Sequence, residues 1–321
     1  MFEIIADEKS LLANFVESKF NKKIIRPIIG SFADSESFVR IKEFGEISKK
    51  NIFIIQQFNF QRESNSKVDI LNDQLFKFFL LCDFVKKLGA AKIFAFLPYL
   101  PYSRQDVVFS GKMDGSIDLI AKFFEAAHVD ALFSFDLHEP KIKRKFDIDL
   151  EEVSMVNFWF DFLKKFKNDL EQSNKLNWCL VAPDEGRFSF IAKVAEMLDV
   201  GFAYIKKVRI AKDEAVAIEL VGNVKDKIAI VLDDIIDTGK TACNASQLLL
   251  EKGAKRVFGC FTHCVITNGA IEKIKTSGYE KIFVTDTVVL NDDIINCEKI
   301  NVLTVEKILF NCIETVWKNL K

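Results

Sequence analysis

Little in this sequence announces a specialised class of protein. Five prolines and thirteen glycines punctuate 321 residues, and nowhere do they gather with serine into a linker or a low-complexity tract. Long apolar runs are missing. The longest uncharged apolar stretch, Ile93 to Ser103, contains two prolines and is too short to span a bilayer. Charge of one sign is missing too: a net charge of −1 offers no basic field to nucleic acid and none to an acidic membrane. The seven cysteines are odd in number and scattered, which argues against a disulfide framework. The start, MFEIIADEKS, is acidic where a secretory leader is basic. These absences predict a cytoplasmic chain with no nucleic-acid or membrane partner. They also require that any phosphate binding be local.

What is present is alternation. Short runs rich in Ile, Val and Phe alternate with helical stretches. The pattern predicts strands at Ile52–Gln56, Lys92–Leu97 and Ala131–Phe135, with helices at Asn72–Leu88 and Ser116–Ala127. In the first helix Leu75, Phe78, Phe79, Leu81, Cys82 and Val85 recur at helical spacing, with Asn72 as cap and Gly89 as stop. The alternation resumes after Glu151, and a final amphipathic helix is predicted at Val305–Leu320. Length and pattern together predict an α/β chain of two domains, residues 1–150 and 151–321, each a mostly parallel sheet flanked by helices. The charged stretch Glu139 to Glu152 marks the boundary, and the last helix is a candidate to pack back on the first domain. In parallel sheets ligands bind beyond the carboxyl ends of strands, so the residues after each strand are the candidates for function.

One such stretch is "IAIVLDDIIDTGKTA", Ile228 to Ala242. Its Gly-Lys-Thr has the tail of a nucleoside-triphosphate P-loop. A P-loop needs another glycine five places before the second one, and Asp234 stands there. The stretch reads instead as a strand ending in Asp233 and Asp234, followed by a turn, Asp237 to Thr241, into a helix. A helix start offers unpaired N–H groups and the positive end of a dipole. The hydroxyls of Thr238 and Thr241 and the bare backbone of Gly239 complete a cradle for a phosphate monoester. The two carboxylates suit a neighbouring vicinal diol such as that of ribose. An acidic capping turn with no ligand is the plainer alternative.

The stretch resembles the phosphoribosyl-pyrophosphate signature shared by phosphoribosyltransferases and ribose-phosphate pyrophosphokinases. Further motifs resemble the second family. They are "LPYLPYSRQD" (Leu97 to Asp106), "FSFDLHEPKI" (Phe133 to Ile142), "VAPDEGRF" (Val181 to Phe188), "SFADSESF" (Ser31 to Phe38) and "AYIKKVRI" (Ala203 to Ile210). The resemblance implies two tandem phosphoribosyltransferase-like domains. It implies synthesis of phosphoribosyl pyrophosphate and AMP from ATP and ribose 5-phosphate, by in-line attack of the ribose C1 hydroxyl on the β-phosphorus.

By the same resemblance Phe32, Asp34, Glu36, Arg104, Gln105 and His138 contact ATP. His138 and Asp184 meet Mg2+, and Lys207 and Arg209 are catalytic. Asp233, Asp234, Asp237, Thr238, Gly239, Lys240 and Thr241 bind ribose 5-phosphate. It further implies a homo-oligomer built from dimers, with a hexamer as one form. The alternatives are a phosphoribosyltransferase and a non-catalytic regulatory subunit. The sequence departs from the family pattern at Ser31, Ser35, Val107, Arg187 and Lys240, and the segment Val107 to Ser116 lacks the family's arginine-rich run. "CFTHC" (Cys260 to Cys264) reads as a buried strand rather than a zinc site.

Overall fold

Ile, Val and Phe in short runs favour extended backbone, and runs buried on both faces pair in parallel. The computed structural model follows that logic in two compact units. One comprises Met1–Val153, Thr287–Val289 and Thr304–Lys321; the other comprises Ser154–Asp286 and Leu290–Leu303. The structure describes all residues except 8–9, 43, 61–69, 106–114, 171–176, 210–215, 268 and 321, and the side chains of 207–209 and 216–218 are likewise outside the description. The family departure at Val107 and most of the segment that follows it therefore lie outside the described residues.

The first unit contains strands β1 (Phe2–Ala6), β2 (Ile28–Ser31), β3 (Ser37–Arg40), β4 (Asn51–Ile55), β5 (Lys92–Phe96), β6 (Ala131–Phe135) and β7 (Asp149–Val153), and helices α1 (Leu11–Phe20), α2 (Ile70–Lys87) and α3 (Ile117–Ala126). A parallel sheet runs β1-β4-β5-β6-β7, while β2 and β3 form a separate antiparallel hairpin. Alternate residues of the central strands feed two faces. Ile52, Ile54, Ile93 and Ala95 join Phe78, Leu81 and Val85 of α2 and Ile120 and Phe124 of α3 in one core. On β1, β4 and β5, Phe2, Phe53, Phe94 and Phe96 form an aromatic layer. The last helix, Glu306–Asn319, joins this unit: Trp317 packs on Phe2 and Phe310 on Phe20. The charged stretch Glu139–Glu152 is ordered, holding a 3-10 turn (Pro140–Lys145) and most of β7.

The second unit contains α4 (Val156–Leu170), β8 (Trp178–Ala182), α5 (Phe188–Leu198), β9 (Gly201–Arg209), β10 (Val216–Val221), β11 (Ile228–Ile236), α6 (Lys240–Glu251), β12 (Arg256–Cys264), α7 (Ala270–Thr276), β13 (Lys281–Thr285), α8 (Asp292–Ile295) and β14 (Ile300–Leu303). Its sheet runs β10-β9-β8-β11-β12-β13-β14, parallel except for the β9–β10 hairpin. Trp159 of α4 is fully buried and donates its indole N–H to Thr262 Oγ1 at 3.0 Å. The α/β architecture of parallel sheets flanked by helices is thus as the alternation requires.

Candidate active site

The central feature is a difference in strand length. β8 pairs with β11 only from Ile228 to Val231, whereas β12 accompanies β11 as far as Ile236. Sequence pattern ends the strand at Asp233 and Asp234; the structure carries it two residues further, to Ile236, because β12 still supplies partners. Asp233 and Asp234 therefore sit on ordered strand that has already outrun β8. Asp234 is 2% exposed and Asp233 half-buried, and the Asp234 backbone N–H donates to Asp233 Oδ1 at 2.9 Å. Burial pushes the Asp233 carboxyl well above the ordinary carboxylate range. Asp234 and Asp184 reinforce that rise and Arg187 opposes it.

The turn after β11 is fixed from several sides. Val265 and Ile266 donate backbone N–H groups to the Ile236 carbonyl at 3.0 and 3.1 Å. Gly239 takes a positive φ of 71° as it enters α6, a backbone region that costs residues with a Cβ roughly 1–2 kcal/mol. Its carbonyl accepts the Cys243 N–H at 2.8 Å, closing the first helical turn. The N–H of Lys240 reaches Thr238 Oγ1 at 3.5 Å. Thr238, Lys240 and Thr241 are exposed at this helix start. The turn thus combines helix-start N–H groups, hydroxyls and a lysine, the groups a phosphate cradle uses. Sequence reasoning missed one member. Lys273, on α7, donates its ammonium to the Thr238 carbonyl at 3.2 Å. No local pattern could show this, since 35 residues separate the two.

The turn after β8 lies beside the acid pair. Asp184 is half-buried, and its Oδ1 accepts the Gly186 N–H at 2.9 Å, bending the chain into α5. Arg187 follows, 6% exposed, with Nε 4.0 Å from Asp234 Oδ1. Among the described residues no three His, Cys, Asp or Glu side chains gather to hold a metal ion. His263 and its flanking cysteines lie buried within β12. All seven cysteines are free, and burial pushes the Cys82 and Cys260 thiols well up, which makes them poor nucleophiles.

In the first unit, β5 and β6 are parallel neighbours, so the segments that leave their carboxyl ends emerge side by side. One carries Arg104 and Gln105, both exposed; the other carries His138, also exposed. The Gln105 N–H closes a turn on the Tyr102 carbonyl at 2.9 Å, and the Leu137 N–H is held by Glu152 at 3.2 Å.

Phe32, Asp34 and Glu36 occupy the tip of the β2–β3 hairpin. The Phe32 ring is 51% exposed and leans on Phe38, with centroids 4.9 Å apart. Asp34 spends one oxygen on the Glu36 N–H at 3.0 Å. Ser35 sits at φ 74°, in the region that favours glycine. A Ser35→Gly variant is expected to gain up to about 1 kcal/mol in stability, read as a small rise in unfolding midpoint. Lys207 and Arg209 lie on β9, opposite Ile218 and Val216 of β10, and their side chains are outside the described residues.

Fold and site together define a class: parallel α/β units that set an acid pair beside a helix start able to cradle a phosphate. Comparison with known proteins gives the family. The model for the N-terminal domain of ribose phosphate pyrophosphokinase matches residues 3–127, and that for the phosphoribosyl synthetase-associated domain matches residues 193–320. The ribose-phosphate pyrophosphokinase of Ralstonia nicotianae is 32% identical over 93% of this chain and 89% of its own length. That of Marinomonas sp. is 31% identical over 95% and 92%. The crystal structure of phosphoribosylpyrophosphate synthetase from Mycobacterium smegmatis superposes with a TM-score of 0.86 at 29% identity, covering 99% of both chains. The chain belongs to the ribose-phosphate pyrophosphokinase family, a family of enzymes, and the phosphoribosyltransferase alternative is not favoured. No described helix is long and apolar enough to cross a membrane.

Proposed function

We propose that the chain makes phosphoribosyl pyrophosphate and AMP from ATP and ribose 5-phosphate. The observation that carries this reading is the Asp233–Asp234 pair on β11 running directly into the open start of α6. Residues 151–321 bring the ribose 5-phosphate loop. The 5-phosphate rests on the N–H groups and hydroxyls of Thr238 to Thr241, with Asp237, Lys240 and Lys273 around it. Asp233 and Asp234 accept hydrogen bonds from the ribose hydroxyls.

Residues 1–150 bring the nucleotide motifs, with Arg104, Gln105 and His138 at the ends of neighbouring strands. Phe32, Asp34 and Glu36 offer a ring and two acids to the adenine. Because the hairpin tip that carries them is exposed, the reading includes a homo-oligomer, built from dimers or as a hexamer, in which the tip serves a neighbouring copy. The chain works in the cytoplasm.

In the reaction the C1 oxygen bonds to the β-phosphorus as the bond from that phosphorus to the α,β-bridging oxygen breaks, and AMP leaves. Lys207 and Arg209 neutralise charge in the transition state. The Asp184 carboxylate fits a magnesium site completed by substrate oxygens, since Mg2+ commonly takes one or two carboxylates plus phosphates. His138, a nitrogen donor, adds a less usual ligand for that ion. Bound magnesium would supply charge neutralisation on the triphosphate.

A coupled assay for AMP tests the reading. AMP release is expected only when both ATP and ribose 5-phosphate are present with Mg2+. Binding of both substrates without AMP release would instead identify a non-catalytic subunit.

A further inference from the structure

Arg187 stands where the family resemblance leads one to expect glycine, and the structure gives it an unusual place. It occupies the start of α5, at the end of β8, with its side chain 7% exposed and 4.0 Å from the Asp234 carboxylate, itself 3% exposed. The guanidinium lies over the ring of Phe190, one helical turn on, at 4.3 Å from the centroid. Asp184 belongs to the same turn, and Asp233 neighbours Asp234. Three carboxylates thus surround a site that must also accept a phosphorylated sugar. Burying an ion pair gains little stability, because desolvation consumes the attraction. The arrangement makes sense as charge compensation: a cation that cannot lose its proton, held between an aromatic ring and an acid.

We propose that Arg187 is a fixed counter-cation of the sugar-phosphate site, balancing Asp234 so that ribose 5-phosphate binds without needing a divalent cation of its own. Arg187 acts through Asp234 and is a positioning residue. The inference rests on the function proposed above.

Calorimetric titration of the full chain with ribose 5-phosphate tests it, once in EDTA and once in Mg2+. The unaltered chain is expected to bind with dissociation constants within about threefold of each other in the two buffers. Arg187→Gln is expected to weaken binding about tenfold or more in EDTA and to recover in Mg2+, because a divalent ion can enter the place vacated by the guanidinium. Arg187→Lys, which keeps the charge, should retain most of the affinity in EDTA, an outcome a purely structural role would not produce. Loss of binding by the unaltered chain in EDTA overturns the inference and leaves the proposed function standing. Wild-type affinity for Arg187→Gln in EDTA also overturns it. Failure of the unaltered chain to bind in either buffer refutes both. If Arg187→Gln does not fold, the two-buffer comparison and Arg187→Lys still decide.

Discussion

Replacing Lys207 by alanine is expected to lower kcat by roughly 10²–10³ fold while leaving ATP affinity nearly unchanged. The expectation follows from where β9 carries this residue. β8 pairs with β9 only between Gly201 and Tyr204. From Ile205 to Arg209 the strand's only partner among the described residues is β10, in an antiparallel register that sets Lys207 opposite Ile218 and Arg209 opposite Val216. A two-stranded ribbon thus runs on past the sheet, and side chains two apart on a strand share a face. Two cationic residues at alternate positions of such a ribbon suit a step whose charge is largest in flight. An interaction made only in the transition state appears in kcat and not in ground-state binding. Steady-state AMP release and a separate ATP titration measure the two quantities. An unchanged kcat would remove Lys207 from the mechanism; an equal loss in ATP affinity would make it a binding residue instead.

The fold was legible where burial and periodicity agreed. β6 has the bounds that its apolar run predicts, because Asp130 and Asp136 bracket it and the run between them is buried against its neighbours. Other elements left no pattern to read. β7, Asp-Leu-Glu-Glu-Val, is an edge strand with a single partner, so charges are tolerated on it and the apolar signal is lost. β11 outlasts its predicted end because β12, nearly thirty residues on, keeps pairing with it, and strand ends are set by partners rather than by the strand.

The turn proposed to hold the phosphate was legible for the same reason the core was: its residues are contiguous, from Asp233 to Thr241. The contributions of Lys273 and Arg187 were not, since one comes from α7 and the other is read from sequence only as a missing glycine. The alternation of Lys207 and Arg209 along one strand was legible in the sequence, and both residues lie on β9, their side chains being outside the described residues.

Asp233→Asn is expected to do two opposite things: to raise the melting temperature at neutral pH and to weaken ribose 5-phosphate binding by about 10- to 100-fold. The stability gain follows from the sign of the shift. Burial, with Asp234 and Asp184 nearby, raises the Asp233 carboxyl in the folded chain above its ordinary range. The folded state therefore holds this proton more tightly than the unfolded state does. Stability is lost as pH rises from the ordinary carboxylate range through the raised folded value. Asparagine, which carries no charge, removes that loss. The variant's advantage should be full above the raised value, shrink as the solution is acidified, and vanish below the ordinary range, where both states of the unaltered chain are protonated. Thermal unfolding followed across that interval reads the trend, and a lower midpoint than the unaltered chain at neutral pH would contradict it. The binding loss has a separate origin: a carboxylate accepts hydrogen bonds from a sugar diol more strongly than an amide oxygen does, and the amide presents donors where acceptors are needed. A residue that costs the fold stability and gains the ligand affinity is kept for the ligand. If both effects appear in one variant, Asp233 serves binding and not folding.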